Sequence, residues 1–157
     1  MIEVSVPGHD VLRIKYLVLD FNGTLAVDGE LLSGVRKRLK TLAKELDIFV
    51  VTADTFGRAK AELKGLPVEV VILPTDIPQD IAKAEYVNRL GAEATMCIGN
   101  GRNDRAMLKQ AGLGIAIMLD EGVAVEALLS SDVVVSDIRC ALDLLIYPLR
   151  LVATLRS

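Results

Sequence analysis

Short apolar runs at 16–19, 48–51, 68–73, 94–98, 114–118 and 133–135 constrain this chain most. None of them alternates with polar residues. A strand with one wet face alternates, whereas a parallel strand covered on both faces does not. Between the runs the period changes. Val35, Leu39, Leu42 and Leu46 form one helical stripe. Segment 80–90 reads as a helix stopped by Gly91, and 103–110, 121–129 and 138–146 read as helices too. Strand and helix alternate along the chain. The expected fold is therefore α/β, a three-layer doubly wound and mostly parallel sheet with right-handed crossovers.

The ends depart from that rhythm. Residues 2–6 and 11–15 alternate around Pro7-Gly8-His9-Asp10, which predicts an N-terminal β-hairpin. Segment 147–155 is apolar but lies beyond the last helix that the sheet needs. It packs either on its own domain or against a partner such as a second copy. Segment 25–32, around the turn Asp28-Gly29, holds no core element and reads as a small flap.

At 157 residues, the chain is expected to form one domain over 1–157. A net charge of -3 and a pI near 5.2 speak against a dedicated nucleic-acid binder. Cys97 and Cys140 make neither a disulfide framework nor metal-ligand spacing. No apolar run reaches the roughly 18 residues of a membrane helix. Met1-Ile2-Glu3-Val4 does not open a signal peptide. The expectation is a reduced, cytoplasmic protein.

Ligands of open α/β sheets bind beyond the carboxyl ends of the strands. Small polar and acidic residues gather there: Asp20-Phe21-Asn22-Gly23-Thr24, then Thr52-Ala53-Asp54, then Gly99-Asn100-Gly101-Arg102-Asn103-Asp104. A carboxylate at the buried end of a strand is costly unless a cation offsets it. Hard oxygen donors suit Mg²⁺. Gly23 allows a sharp turn whose amides can face an anion, and Thr24 adds a hydroxyl. A carboxylate in such a place can attack a phosphoryl group.

These residues, with Lys83, resemble the four ordered motifs of the haloacid-dehalogenase (HAD) superfamily over residues 16–135. Thr52-Ala53-Asp54 looks like the Thr-Gly-Asp of small soluble relatives of P-type ATPase phosphorylation domains. The resemblance implies Asp20 as nucleophile and metal ligand, with the backbone carbonyl of Asn22 as second ligand. It implies Thr52 and Lys83 on the transferred phosphoryl group, and Asn100 and Asp104 completing a Mg²⁺ site directly or through water. Gly23, Thr24 and Asn103 would help to hold the phosphate. The activity implied is a Mg²⁺-dependent phosphohydrolase acting through an aspartyl phosphate on a phosphorylated substrate.

Two positions depart from the family pattern. Asn22 stands where a second Asp serves as general acid/base, a role worth roughly 10²–10⁴-fold that an amide cannot fill. Asn100 stands where Asp is usual, which lowers the charge offered to a metal. The alternative function is a catalytically weak regulatory module that keeps the phosphate and metal site. Cap domains of this superfamily enter between Asp20 and Thr52 or between Thr52 and Lys83, and neither stretch is long enough for one. The site is expected to be open, for a large substrate or for a lid from another subunit.

Plainer roles compete at each position. Asp20 could simply initiate a turn and Thr52 end a strand. Asn103 and Asp54 could cap the helices that follow them. Lys83 shares a helical face with Val87 and Leu90, where an unpaired Lys is out of place. The order of all four motifs favours function.

Overall fold

The alternating N-terminal segment folds as an antiparallel hairpin, β1 (Ile2–Val4) and β2 (Leu12–Ile14), with Ile2 opposite Ile14. The first apolar run becomes β3 (Tyr16–Leu19). A second, smaller hairpin follows, β4 (Ala26–Val27) and β5 (Glu30–Leu31). Its turn residues Asp28 and Gly29 both have positive φ, 53° and 81°. That backbone matches the twist of a tight hairpin, and Asp-Gly is a favoured pair for it. The flap segment is thus an ordered ribbon. The structure is a computed structural model and describes residues 1–54 and 57–157.

The other runs form β6 (Asp47–Thr52), β7 (Glu69–Ile72), β8 (Thr95–Gly99), β9 (Leu113–Ile117) and β10 (Val133–Val135). With β3 they make one six-stranded sheet in the order β10-β9-β8-β3-β6-β7, parallel at every pairing. Successive residues of β3 belong to opposite faces. Leu17 and Leu19 join one apolar core, Val18 the other, and all three are fully buried. The run therefore lacks polar alternation because neither face meets water.

Helices cover both faces. They are α1 (Val35–Leu42), α2 (Arg58–Glu62), α3 (Gln79–Leu90), α4 (Arg105–Gln110), α5 (Val125–Leu128), α6 (Ile138–Ile146) and α7 (Pro148–Leu155). Buried residues of α1, α2, α6 and α7 enter the core containing Leu17, and those of α3, α4 and α5 the core containing Val18. From β3 the chain winds outward through β6 and β7, then crosses back to β8 and continues through β9 to β10. The switch in direction lies at β3. Only the β4–β5 hairpin and α1 separate Asp20 from β6, and only α2 and β7 lie between Thr52 and α3. Among the described residues no further element interrupts either stretch.

Two helix boundaries differ from those expected. Residues 121–124 are not helical, because Gly122 bridges back to Leu119 and the N–H of Ala124 donates to the carbonyl of Asn100 at 2.8 Å. That tie to the loop after β8 delays the helix to Val125. Residues Arg102–Asp104 form a 3₁₀ turn before α4. Segment 147–155 packs on its own chain through α7, with Leu151 fully buried and the N–H of Ser157 donating to Pro7 at 3.3 Å. No helix among the described residues is long and apolar enough to cross a membrane.

Leu151 and Leu149 sit on opposite sides of α7, fully buried and 82% exposed. Leu151→Ala is expected to lower unfolding free energy by about 2–5 kcal/mol. Leu149→Ala should change it by no more than about 0.5 kcal/mol. Equilibrium urea denaturation of both variants checks the pair.

Candidate active site

The register of the sheet assembles the site. Leu19 lies opposite both Val50 and Ile98. Asp20 therefore emerges between the end of β6, Thr52, and the residue after β8, Asn100. A cleft of about 470 Å³ opens there, lined among others by Asp20, Asn22, Thr52, Lys83, Asn100 and Asn103.

Lys83 forms the floor. It extends from α3 with only 1% of its surface exposed. Its Nζ lies 2.6 Å from Asp20 Oδ1 and 2.6 Å from Asp104 Oδ1. Burial alone would lower its pKa, but the two carboxylates outweigh burial and hold it above the ordinary lysine value. An ammonium has three donors, so one N–H is left over from these two contacts. Burial, reinforced by the like charge of Asp20, pushes the Asp104 carboxyl up to about 6 against the pull of Lys83.

Asp104 is fully buried and committed. Besides Lys83 it accepts the backbone N–H groups of Asn100 and Gly101 at 3.0 and 2.8 Å on Oδ2. These contacts tie Asp104, expected to complete the metal site directly or through water, to partners within the chain. Asp104 holds the lysine and shapes the loop after β8. Gly99 permits the contact, since a Cβ there would come within 2.5 Å of Asp104 Cγ.

Two residues expected to help hold the phosphate have partners within the chain. The N–H of Gly23 donates to the carbonyl of Ala26 at 2.8 Å, closing the base of the β4–β5 hairpin. Gly23 has φ +76°, and a Cβ on it would lie 2.4 Å from Asn100 Nδ2. The glycine is required by close approach to Asn100. Thr24 is fully buried, and its hydroxyl donates to Asp20 Oδ2 at 3.3 Å. It orients the carboxylate from behind.

The remaining residues face the cleft. Thr52 Oγ1 accepts the N–H of Asp54 at 3.2 Å, which leaves its own hydroxyl proton to donate. The Asn100 amide donates through Nδ2 to the carbonyl of Gly122 at 3.1 Å, so Oδ1 is its uncommitted end. Asn103 lies inside the 3₁₀ turn and is exposed, and α4 starts after Asp104, so Asn103 does not cap that helix. Asp54 does act as a cap for α2, accepting the N–H groups of Ala59 and Lys60 at 3.0 and 3.4 Å.

Sequence reasoning missed Arg58, Gln79 and Glu121, which also line the cleft. Gln79 is one turn before Lys83 on α3, and its Nε2 donates to Pro74 at 2.8 Å. Its Oε1 is buried without a partner among the described residues.

Among the described residues, no three His, Cys, Asp or Glu side chains gather as a ready metal site. The donor set still fits a hard divalent cation. Asp20, Asp104 and Lys83 bring two negative charges and one positive into a nearly dry place, so the cluster carries a surplus negative charge. Asp20 and the Oδ1 of Asn100 are hard oxygen donors at that point. These two positions offer one carboxylate between them.

Comparison with known proteins agrees with this geometry. Residues 77–120 match the model of the haloacid dehalogenase-like hydrolases. An uncharacterized protein of Methanocaldococcus jannaschii is 46% identical over 83 residues, 50% of this chain and 89% of that protein. Among solved structures, the cobalt-bound deoxy-D-mannose-octulosonate 8-phosphate phosphatase of Haemophilus influenzae superposes with a TM-score of 0.69 at 16% identity. It covers 85% of this chain and 88% of its own. The 3-deoxy-D-manno-octulosonate 8-phosphate phosphatase of Moraxella catarrhalis, in complex with a magnesium ion, a phosphate ion and KDO, gives 0.64 at 19% identity. It covers 85% of this chain and 86% of its own. At these identities the structures speak for the fold. The narrower likeness to P-type ATPase phosphorylation domains rests on the motif residues alone. Its parallel sheet, its strand-end carboxylate and lysine, and the match over residues 77–120, through α3 and the loop after β8, all liken the chain to the haloacid dehalogenase-like hydrolases.

Proposed function

We propose that this protein is a Mg²⁺-dependent phosphatase that works through an aspartyl phosphate on Asp20. The observation that carries the reading is the clamp on that residue. Lys83 holds Oδ1 at 2.6 Å and Thr24 holds Oδ2 at 3.3 Å, at the floor of an open cleft. A nucleophile fixed from two sides loses little freedom on reaching the transition state.

Asp20, Asn100 Oδ1 and the backbone carbonyl of Asn22 would hold the metal. When bound, Mg²⁺ neutralises phosphoryl oxygens and offsets the surplus charge of the buried cluster. Asp20 then attacks phosphorus, and the ester oxygen leaves with the electrons of the broken P–O bond. The free N–H of Lys83 and the hydroxyl of Thr52 donate to the phosphoryl oxygens as charge grows there. Asn103 reaches them from the loop after β8. Water hydrolyses the acyl phosphate and regenerates Asp20.

Asn22 governs the pace. It lines the cleft beside Asp20 but has no titrating proton, so neither the leaving group nor the attacking water receives general acid/base help from it. A slow enzyme and a regulatory module that retains phosphate share this feature, and turnover separates them. The substrate is a phosphorylated compound. The two free thiols, Cys97 and Cys140, suit the reducing cytoplasm.

Asp20→Asn should abolish phosphate release from an aryl phosphate and remove acid-stable, hydroxylamine-labile phosphoprotein. Chelation of Mg²⁺ should do the same to the unmodified protein, reversibly. Normal turnover by the variant, with its mass unchanged, would end the covalent mechanism.

Asn22→Asp is expected to raise the single-turnover rate of dephosphorylation by about 10-fold or more. An unchanged rate would show that proton transfer is not limiting and would favour the regulatory reading.

Lys83→Met strips two buried carboxylates of their partner. It should destabilise the fold by about 3–5 kcal/mol as well as inactivate it. Adding Asp104→Asn should recover part of that loss in urea denaturation. Strict additivity of the two changes would contradict the coupling seen in the geometry.

A further inference from the structure

Lys83 and Arg58 are the cations that line the cleft. Their situations are opposite. Lys83 lies on the floor, buried and neutralised by Asp20 and Asp104. Arg58 begins α2 at the rim and is exposed. Among the described residues no carboxylate lies within salt-bridge distance of it, and its one hydrogen bond runs from Nη1 to the carbonyl of Asp28 at 3.2 Å. Asp28 is the tip of the β4–β5 hairpin. The neighbouring Gly29 packs so closely that a Cβ on it would come within 2.7 Å of Arg58 Nη1.

A guanidinium has five N–H donors in a rigid fork matched to a planar or tetrahedral anion. Here one donor meets a neutral carbonyl at a long distance. Hydrogen bonds to an anion are about twice as strong as neutral ones. The hairpin does not depend on this contact, because the N–H of Leu31 also donates to Glu62 at 3.1 Å. Arg58 can leave Asp28 at little expense.

We propose that Arg58 is the specificity-determining residue of this cleft and that it receives a second anionic group of the substrate. The substrate class is a phosphate monoester whose leaving group carries a carboxylate or a further phosphate. This rests on the reading of the floor as the phosphoryl site. With the phosphoryl group at Asp20, the leaving group extends toward the rim, where Arg58 offers the cation without a carboxylate partner.

Phosphonates test this without turnover. Binding to the full chain with Mg²⁺ present is measured by calorimetry for ethylphosphonate, for ω-carboxyalkylphosphonates with two, three and four carbons between the groups, and for the corresponding bisphosphonates. At least one doubly anionic ligand should bind about 10-fold or more tighter than ethylphosphonate, the scale of a charged hydrogen bond. The better of the carboxylate and phosphonate arms identifies the second group. In Arg58→Met the preference should collapse to about twofold or less, and Arg58→Lys should restore part of it. Arg58 is exposed, and an unchanged melting curve confirms that the variants fold. Equal binding of singly and doubly anionic ligands overturns the proposal, as does a preference that survives Arg58→Met. Loss of all ligands by the same factor in Arg58→Met overturns it too, placing Arg58 on the phosphoryl group. If ethylphosphonate and every other ligand fail to bind the unmodified protein, the phosphoryl-site reading itself falls and takes this proposal with it.

Discussion

The ammonium of Lys83 carries a full charge into a place where almost none of it meets water. Such burial is tolerable only because Asp20 and Asp104 approach it at equal distances. The three residues come from the end of β3, from α3 and from the 3₁₀ turn after β8. One interaction thus fixes the central strand, a helix on one face and the loop beside the switch point. Thr24 behind Asp20 and the amides of Asn100 and Gly101 behind Asp104 complete the shell. The floor is rigid because each polar group that builds it also satisfies a neighbour.

The sheet supplies the other constraint. A fully parallel sheet that winds both ways from β3 leaves a gap beyond its carboxyl ends. With no cap inserted, that gap is covered only by what the short connections provide. The β4–β5 hairpin and the start of α2 meet at its rim, where Arg58 reaches the carbonyl of Asp28. On the proposed function, the tasks would separate by depth: chemistry on the buried floor, discrimination at the wet rim.

Much of this was legible in the sequence, for a physical reason. Apolar runs without alternation mark strands buried on both faces, so the residues after them must lie at strand ends. Asp20, Thr52 and Asn100 were found that way. Lys83 was conspicuous as a charge on an apolar stripe. Other roles depended on distances that no spacing encodes. Asp104 serves Lys83 and two amides because the 3₁₀ turn folds it inward, and Gly23 is needed for Asn100, far along the chain. Arg58 gave no signal, since α2 is a short helix with only Ala59 buried. Its position in the cleft comes from the tertiary fold alone. The non-helical stretch 121–124 was equally hidden, because the hydrogen bond from Ala124 to Asn100 outweighs local helical preference.

The hydrogen bond from Gly23 to Ala26 also bears on how this protein ages. Asn22-Gly23 and Asn100-Gly101 are the kind of pair that loses ammonia most readily, because the glycine nitrogen can attack the asparagine side chain and close a succinimide ring. In the folded chain the first of those nitrogens is bound to Ala26 and the second to Asp104. Each would have to break its bond and turn before reacting. The hairpin base and the loop after β8 thus act as chemical preservatives, guarding two amides whose conversion would change the charge of the cleft. That protection lasts only as long as the local fold does, so a molecule that opens often would drift toward a more acidic site than the one its gene encodes.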